Sequence, residues 1–140
     1  MSLSADRPYR VKGSSELDSV LPTASDIYYR GAIVNVTASG GLAIVASDTA
    51  GQGSFSGVVT KHVEVGSAAD GKIEIERGRV WIPFASAAQA DVGDYFYATA
   101  DDTVAKAATN ADPCGKCVDV IVGSAVCIDF RLGIPKTALA

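Results

Sequence analysis

From residue 26 onward, apolar and polar positions alternate in short runs that are typical of β-strands. The clearest run is 72–76, where Ile73 and Ile75 fall on one face and charged residues fall on the other. Turn residues separate such runs about every 8–12 positions, and only residues 86–90 favour a helical turn. The other predicted strands are 27–36 (interrupted at Gly31), 42–46, 54–65, 80–84, 95–99, 103–107, 116–122 and 125–132.

This spacing predicts an all-β fold, a jelly-roll-like sandwich or barrel of about nine or ten short antiparallel strands. Parallel βαβ units are excluded because no crossover helix is predicted. Gly78 is expected to turn the chain between two strands. Pro83, which lacks an N–H group, is expected at a sheet edge or a bulge. The residues expected to point inward are Ile33, Val34, Val58, Ile73, Ile75, Ile82, Phe96, Val118, Val120 and Ile128.

The first 25 residues show a different pattern. They are mostly polar, contain prolines at positions 8 and 22, and follow neither a strand period nor a helix period. Because segments of this composition order along a partner more readily than they form a core of their own, we predict an extended N-terminal arm over 1–25. Residues 26–140 are then a single β domain.

Composition and charge narrow the classes of function. The 140 residues are 48% hydrophobic and 20% charged, which is typical of one globular domain. The net charge of −4 disfavours nucleic acid as a partner, because phosphate contacts need a cationic surface. No apolar run approaches the ~20 residues that span a bilayer, and the first ten residues lack the apolar core of a signal peptide. We therefore expect a soluble protein that is not exported and does not bind membranes.

The three cysteines, Cys114, Cys117 and Cys127, are an odd number and lie close together in the sequence. A disulfide framework normally has an even number, which favours reduced thiols in a cytosolic environment. Cys114 and Cys117 form a Cys-x-x-Cys motif at the start of a predicted strand, without the helix that would lower a thiol pKa. A zinc site needs four ligands, and only Cys127 and His62 remain. Buried, unmetallated thiols are the favoured interpretation, with a disulfide, a metal site or redox activity as the alternatives.

No catalytic constellation stands out in the sequence. His62 is the only histidine, and Glu74 and Glu76 belong to the solvated face of their predicted strand. The chain has no Gly-x-Ser-x-Gly elbow, no phosphate-binding P-loop and no dinucleotide-binding fingerprint. We therefore expect no enzyme activity, no cofactor and no catalytic or metal-binding residue.

Two alternative functions rest on local features. The segment 26–31, which reads Asp-Ile-Tyr-Tyr-Arg-Gly, resembles the Tyr-Arg-Gly strand of the trimeric dUTP pyrophosphatases, although their Gly-Arg-Ser-Ser and C-terminal Gly-rich motifs are missing. Magnesium-dependent release of pyrophosphate from dUTP would identify such an enzyme. The second alternative is a carbohydrate-binding module in which Trp81, Tyr95 and Tyr97 form the platform that stacks on sugars.

A broader resemblance covers residues 29–132. The order of features there is similar to that of the small head-decoration, or cement, proteins of tailed bacteriophages, and the small jelly-roll cement proteins of short-tailed phages are the most similar. The shared features are a first strand at 30–36, a Phe-x-Gly-Val-Val strand at 55–59, an x-Val-Trp-Ile-Pro strand at 79–83, an Asp-x-Gly-Asp-x-x-Tyr turn and strand at 91–97, and a Gly-Lys-x-Val pair followed by Ala-x-x-x-Asp-Phe-Arg-Leu at 125–132.

This resemblance implies a structural role in the virion. A protein of this type is made in the host cytoplasm, binds the outer face of the capsid and bridges neighbouring subunits of the major capsid protein. Its partners would be the major capsid protein and further copies of its own chain. Closed homo-oligomers are most often dimers, so a dimer is favoured, with a trimer as the alternative.

Charge and composition suggest which residues make these contacts. Cations lead the arm while residues 26–140 are acidic, so the arm is expected to reach the capsid through Arg7, Tyr9, Arg10 and Lys12. In the alternative, the arm folds back, Tyr9 packs on the body and the two arginines pair with its carboxylates. If the arm binds capsid, deletion of residues 2–20 should barely change the melting temperature and should weaken binding to heads at least about tenfold. The candidate oligomer contacts are Pro83, Phe84 and Tyr97.

Overall fold

The computed structural model describes residues 3–23, 25–37, 41–49, 55–66 and 72–134. These residues form eleven strands and two short 3₁₀ turns, Gln89–Asp91 and Phe130–Leu132. The prediction of an all-β fold is confirmed. The strands are β1 (Val11–Pro22), β2 (Ile27–Tyr28), β3 (Ile33–Val36), β4 (Leu42–Val45), β5 (Phe55–Val59), β6 (Val63–Glu64), β7 (Ile73–Pro83), β8 (Tyr95–Ala100), β9 (Thr103–Ala105), β10 (Pro113–Ile121) and β11 (Ala125–Asp129).

Nine of these strands belong to one sheet in the order β1-β4-β3-β5-β7-β11-β10-β8-β9. Strand β1 pairs with β7 as well as with β4, so β1, β4, β3, β5 and β7 form a closed ring. The β1–β4 pairing is parallel, and the other pairings of the sheet are antiparallel. Strands β2 and β6 form a separate antiparallel pair. Strand β7 therefore links the ring to the remaining strands β11, β10, β8 and β9.

The two faces of the ring strands contribute to two hydrophobic clusters. Val34 and Val59 belong to one cluster, together with Ile73 and Ile75 of β7. Their neighbours Ile33 and Val58 belong to the other cluster, which also contains Phe96 and Ile128. Successive strand residues point to opposite faces, so β3 and β5 serve both clusters. Eight of the ten predicted inward residues are buried; Val118 and Val120 are only partly buried. The strand register shifts between Cys117 and Asp119, which interrupts the alternation and places Cys117 in the core.

The turn predicted at Gly78 is wrong. Strand β7 continues through this position, and Gly78 pairs with Ser15 of β1. A Cβ added at Gly78 would lie 2.3 Å from the Cβ of Ser15, so the glycine is required for the close approach of the two strands. The local pattern gave no sign of this neighbour because Ser15 lies far away in the sequence.

The N-terminal segment needs a correction as well. Only residues 3–10 are extended outside a strand, whereas residues 11–22 form β1, which pairs with β7 from Val11 to Val20 and with β4 through Leu21 and Pro22. The structure therefore does not separate residues 3–22 from the body. Backbone groups make these pairings, so the largely polar, exposed side chains of β1 gave no periodic signal.

Candidate functional site

Residues 3–10, which we name the strap, are held against the body by backbone and side-chain hydrogen bonds. The amide of Leu3 donates to Asp101 Oδ1 at 2.8 Å, and the amide of Arg7 donates to the Arg30 carbonyl at 2.8 Å. The Arg7 guanidinium donates to the carbonyls of Gly31 and Asp102, each at 3.1 Å. Burial lowers the pKa of Arg7, against the opposing attraction of Asp102 and Asp101. Arg7 is therefore an anchor of the strap and is not free to reach a partner.

The strap packs directly against Gly31, which has no side chain. Its φ is +87°, and a Cβ at this position would lie 2.3 Å from the carbonyl oxygen of Arg7. The neighbouring Arg30 amide donates to Asp6 Oδ1 at 3.0 Å, and the same oxygen lies 3.0 Å from Nδ1 of His62. A side chain at Gly31 would push the strap away, so the Tyr-Arg-Gly sequence has a structural use here.

The remaining strap residues and the start of β1 present aromatic and cationic groups. The Arg30 guanidinium lies 5.4 Å from the centre of the Tyr9 ring. Burial, together with the negative charge of Glu76, raises the pKa of Tyr9 to about 12. Arg10 lies over the Trp81 ring at 5.9 Å, and Lys12 forms an ion pair with Asp119.

These contacts correspond in part to the alternative in which the arm folds back. Tyr9 packs against the body as that alternative required, but Arg7 donates to carbonyl oxygens where carboxylate partners were expected. Among the residues that the structure describes, no carboxylate oxygen lies within 4.0 Å of the Arg10 guanidinium. Arg10 is thus an exposed positive charge without a carboxylate partner among the residues that the structure describes.

The strap borders an open groove of about 310 Å³, which we name the strap groove. Pro8, Tyr9 and Arg10 form one wall, Trp81 and Pro83 at the end of β7 form another, and Ser124 and Ala125 of the β10–β11 hairpin complete it. Its volume lies near the lower end of the range for ligand-binding clefts, about 300–1,000 Å³. The groove brings together two of the capsid-contact candidates, Tyr9 and Arg10, and one oligomer-contact candidate, Pro83.

The apolar surface continues from the groove to the tip of the hairpin. Pro83, Ala125 and Ile121 lie in one cross-strand row of β7, β11 and β10. Ile121 is 42% exposed and the next residue, Val122, is 69% exposed. An exposed apolar surface next to a groove is typical of an interaction site.

The other oligomer-contact candidates are less accessible. Phe84 is half-buried and packs edge-to-face on Phe96, with ring centres 5.3 Å apart. Tyr97 is only 8% exposed because it lies between β9 and β10, so its place in an oligomer contact is corrected. The three aromatic residues of the proposed sugar platform are also not equivalent. Trp81 lines the groove, Tyr97 is buried and Tyr95 is covered by the Lys116 ammonium group at 5.2 Å.

The three cysteines are buried and unpaired thiols. Cys114 and Cys117 belong to the hydrophobic core, and burial raises the pKa of Cys114 to about 12 and that of Cys127 to about 11. Across the described ranges, no group of three or more histidine, cysteine, aspartate or glutamate residues is placed to hold a metal ion. These thiols are therefore packing residues in this fold.

This burial leads to a prediction about thiol reactivity. The thiolate is the reactive species, so a raised pKa leaves almost none of it at pH 8. We expect the native protein to react very slowly with Ellman's reagent and all three cysteines to react at once after unfolding in guanidinium chloride. Rapid reaction of two thiols in the native protein, or stoichiometric zinc after purification, would contradict this view.

The sequence did not reveal the part of the groove that the hairpin forms. The predicted strands 116–122 and 125–132 leave a short turn at 123–124, but a local pattern does not show that β11 is the strand next to β7. Pro83 was the one sequence signal for this part of the groove, because a proline has no N–H group to donate to a neighbouring strand.

No protein-family model, curated protein sequence or solved structure matches this chain. In the described part of the chain, no helix has the length and hydropathy to cross a membrane.

Proposed function

We propose that this protein is a non-enzymatic decoration, or cement, protein of a tailed-phage head. It binds the outer face of the capsid after synthesis in the host cytoplasm, and it bridges neighbouring subunits of the major capsid protein. The jelly-roll-like character of the fold is part of this proposal, since the nine-stranded sheet and its closed ring are compatible with it. A protein that binds only the assembled shell stabilises it by mass action.

The observation that carries the proposal is the composite surface of the strap groove. A polar N-terminal segment is fixed by named contacts so that Tyr9 and Arg10 face Trp81 and Pro83. Aromatic residues and arginine dominate the energetics of protein interfaces, and a preformed surface avoids the entropy cost of ordering a free arm. This arrangement favours a protein partner.

A bridging protein needs two separate contact areas, and β1 connects two candidates. The groove lies at the start of β1, beside Arg10. Towards the other end of the strand, Leu17 is 61% exposed and Leu21 is 46% exposed. Leu21 lies beside Leu42 of β4, which extends this second apolar area. At about 3.3 Å per residue, Leu17 and Leu21 lie roughly 20 Å and 35 Å along the strand from Arg10, so the two areas can contact different subunits.

The proposal also includes association of the protein with further copies of its own chain. A homo-oligomer, with a dimer favoured over a trimer, fits the commonest symmetry of soluble assemblies. Pro83 is exposed at the rim of the groove and Phe84 follows it, so both remain candidates for this contact. A stable monomer in sedimentation at micromolar concentration would argue against a preformed oligomer.

Binding to heads assembled without this protein tests the proposal. We expect the wild-type chain to co-sediment with the heads and to raise the temperature at which they break open. Trp81→Ala should weaken binding at least about tenfold, or about 1.4 kcal/mol. Arg10→Ala should weaken it about threefold to fivefold, as loss of one exposed ion pair implies. Lys72→Ala is the matched control for Arg10→Ala, because Lys72 is also an exposed cation but lies away from the groove. Absence of co-sedimentation at micromolar concentration would contradict the proposal.

Carbohydrate binding is the second candidate, and the accessible Trp81 ring in the groove is the observation that favours it. Exposed aromatic rings in open grooves stack on sugars as well as on peptides. Binding to a glycan array that is lost in Trp81→Ala, without any binding to heads, would favour this function.

A further inference from the structure

We infer that the strap groove binds an extended, proline-containing peptide segment that presents a carboxylate to Arg10. This inference rests on the proposed function in one respect, since it takes a segment of the shell protein as the natural partner. The walls of the groove are unusual for so small a site. Two proline rings, Pro8 and Pro83, and two aromatic rings, Tyr9 and Trp81, face the same open space.

The edge of β7 in the groove does not support pairing with another strand. The amide of Trp81 already donates to the Arg10 carbonyl at 2.9 Å. Successive N–H groups of a strand point to opposite sides, so the next donor on this side would come from residue 83. That residue is proline, which has no N–H group. A ligand strand therefore finds no second N–H donor on this side, and side chains supply the main recognition groups of the groove.

Proline-containing segments match this requirement. They adopt the polyproline II conformation, which has no internal hydrogen bonds, and they dock into grooves lined by aromatic side chains. The groove is preformed for such a segment, because the Tyr9 ring packs against the core and the Arg30 guanidinium lies 5.4 Å from the centre of that ring. Preorganisation reduces the entropy lost on binding.

The charge of the groove points to an acidic segment. Arg10 is exposed, and in the described residues no carboxylate lies within ion-pair distance of it. The nearby Lys12 is paired with Asp119, so the two largely cancel. A carboxylate on the ligand would supply the missing partner for Arg10, with the guanidinium already placed over the Trp81 ring.

Trp81 makes the inference directly measurable, because it is the only tryptophan of the chain and it lines the groove. The probe is a synthetic peptide of sequence Pro-Pro-Glu-Pro-Pro-Glu-Pro-Pro, titrated up to about 1 mM at low salt. We expect a saturable change in tryptophan emission. Arg10→Ala should weaken the affinity about threefold to fivefold, as loss of one exposed ion pair implies, and Lys72→Ala should leave it unchanged.

Three further ligands test whether the groove requires both the proline residues and the carboxylates of the peptide. The same peptide with lysine in place of glutamate should bind more weakly, and a glycine–serine peptide with the same glutamates should give no saturable change. No response to the proline–glutamate peptide would overturn the inference. A response only to an oligomer of galacturonic acid would also overturn it and would make the groove a site for acidic sugars.

The same variants in the head-binding assay separate this inference from the proposed function. If heads bind wild type and Arg10→Ala equally while the peptide gives no signal, the inference fails and the decoration function stands. If the peptide binds as expected but heads do not, the groove is a peptide site and the decoration function fails.

Discussion

Deletion of residues 2–20 is expected to abolish cooperative folding. The deletion removes most of β1, which pairs with β7 at seven register positions and closes the ring, and it removes Val20 from the ring cluster. Each ladder hydrogen bond contributes about 0.5–1.5 kcal/mol, while a whole domain is stable by only about 5–15 kcal/mol. Thermal unfolding followed by far-ultraviolet circular dichroism should show no sigmoidal transition for this variant.

A shorter deletion provides the control. Removal of residues 2–6 eliminates the Leu3–Asp101 and Asp6–Arg30 hydrogen bonds but keeps β1. This variant should unfold cooperatively at a somewhat lower temperature than the full chain. If the 2–20 deletion melts within a few degrees of the full chain, residues 1–25 are the separate arm that the sequence pattern suggested, and the ring described above is wrong.

Gly78→Ala is expected to destabilise the protein by about 2–3 kcal/mol, because a methyl group must be forced between β7 and β1. Its Cβ would lie 2.3 Å from the Cβ and 2.8 Å from the Cα of Ser15. The free energy of unfolding from urea titration measures the effect. Gly66→Ala is the control, because a Cβ at Gly66 has no atom of the described residues within 4 Å.

A second substitution, Ser15→Gly, tests whether the clash with Ser15 causes the loss of stability in Gly78→Ala. Ser15→Gly removes the nearer of the two clashing atoms, so the double variant with Gly78→Ala should recover part of the lost stability. Such coupling is expected only for residues in contact. Equal stability of Gly78→Ala and Gly66→Ala would contradict the β1–β7 register.

The sequence predicted strands well where one face was apolar and the other polar. The Ile73–Ile75 alternation is the example, because burial of one face imposes a period of two. It failed for β1, whose pairing depends on backbone groups and whose side chains are mostly exposed. It also failed at Gly78, where the contact that requires glycine comes from a distant segment.

For the candidate site, the sequence identified some of the residues but not their arrangement. Tyr9, Arg10 and Pro83 were identified from charge, aromatic character and the missing N–H group. Their proximity could not be predicted, because it depends on the seating of the strap on Gly31 and on the pairing of β1 with β7. Tyr97 was misjudged because strand alternation does not show which neighbours cover an outward side chain.

The most direct test of the account is an electron cryomicroscopy map of heads decorated with this protein. We expect density on the outer face of the shell, at the boundary between neighbouring capsid subunits, with Trp81 and Arg10 of the strap groove against the shell. The exposed Leu17 and Leu21 should contact a different subunit. A map in which the groove faces solvent, or in which heads carry no added density after incubation with the protein, would contradict it.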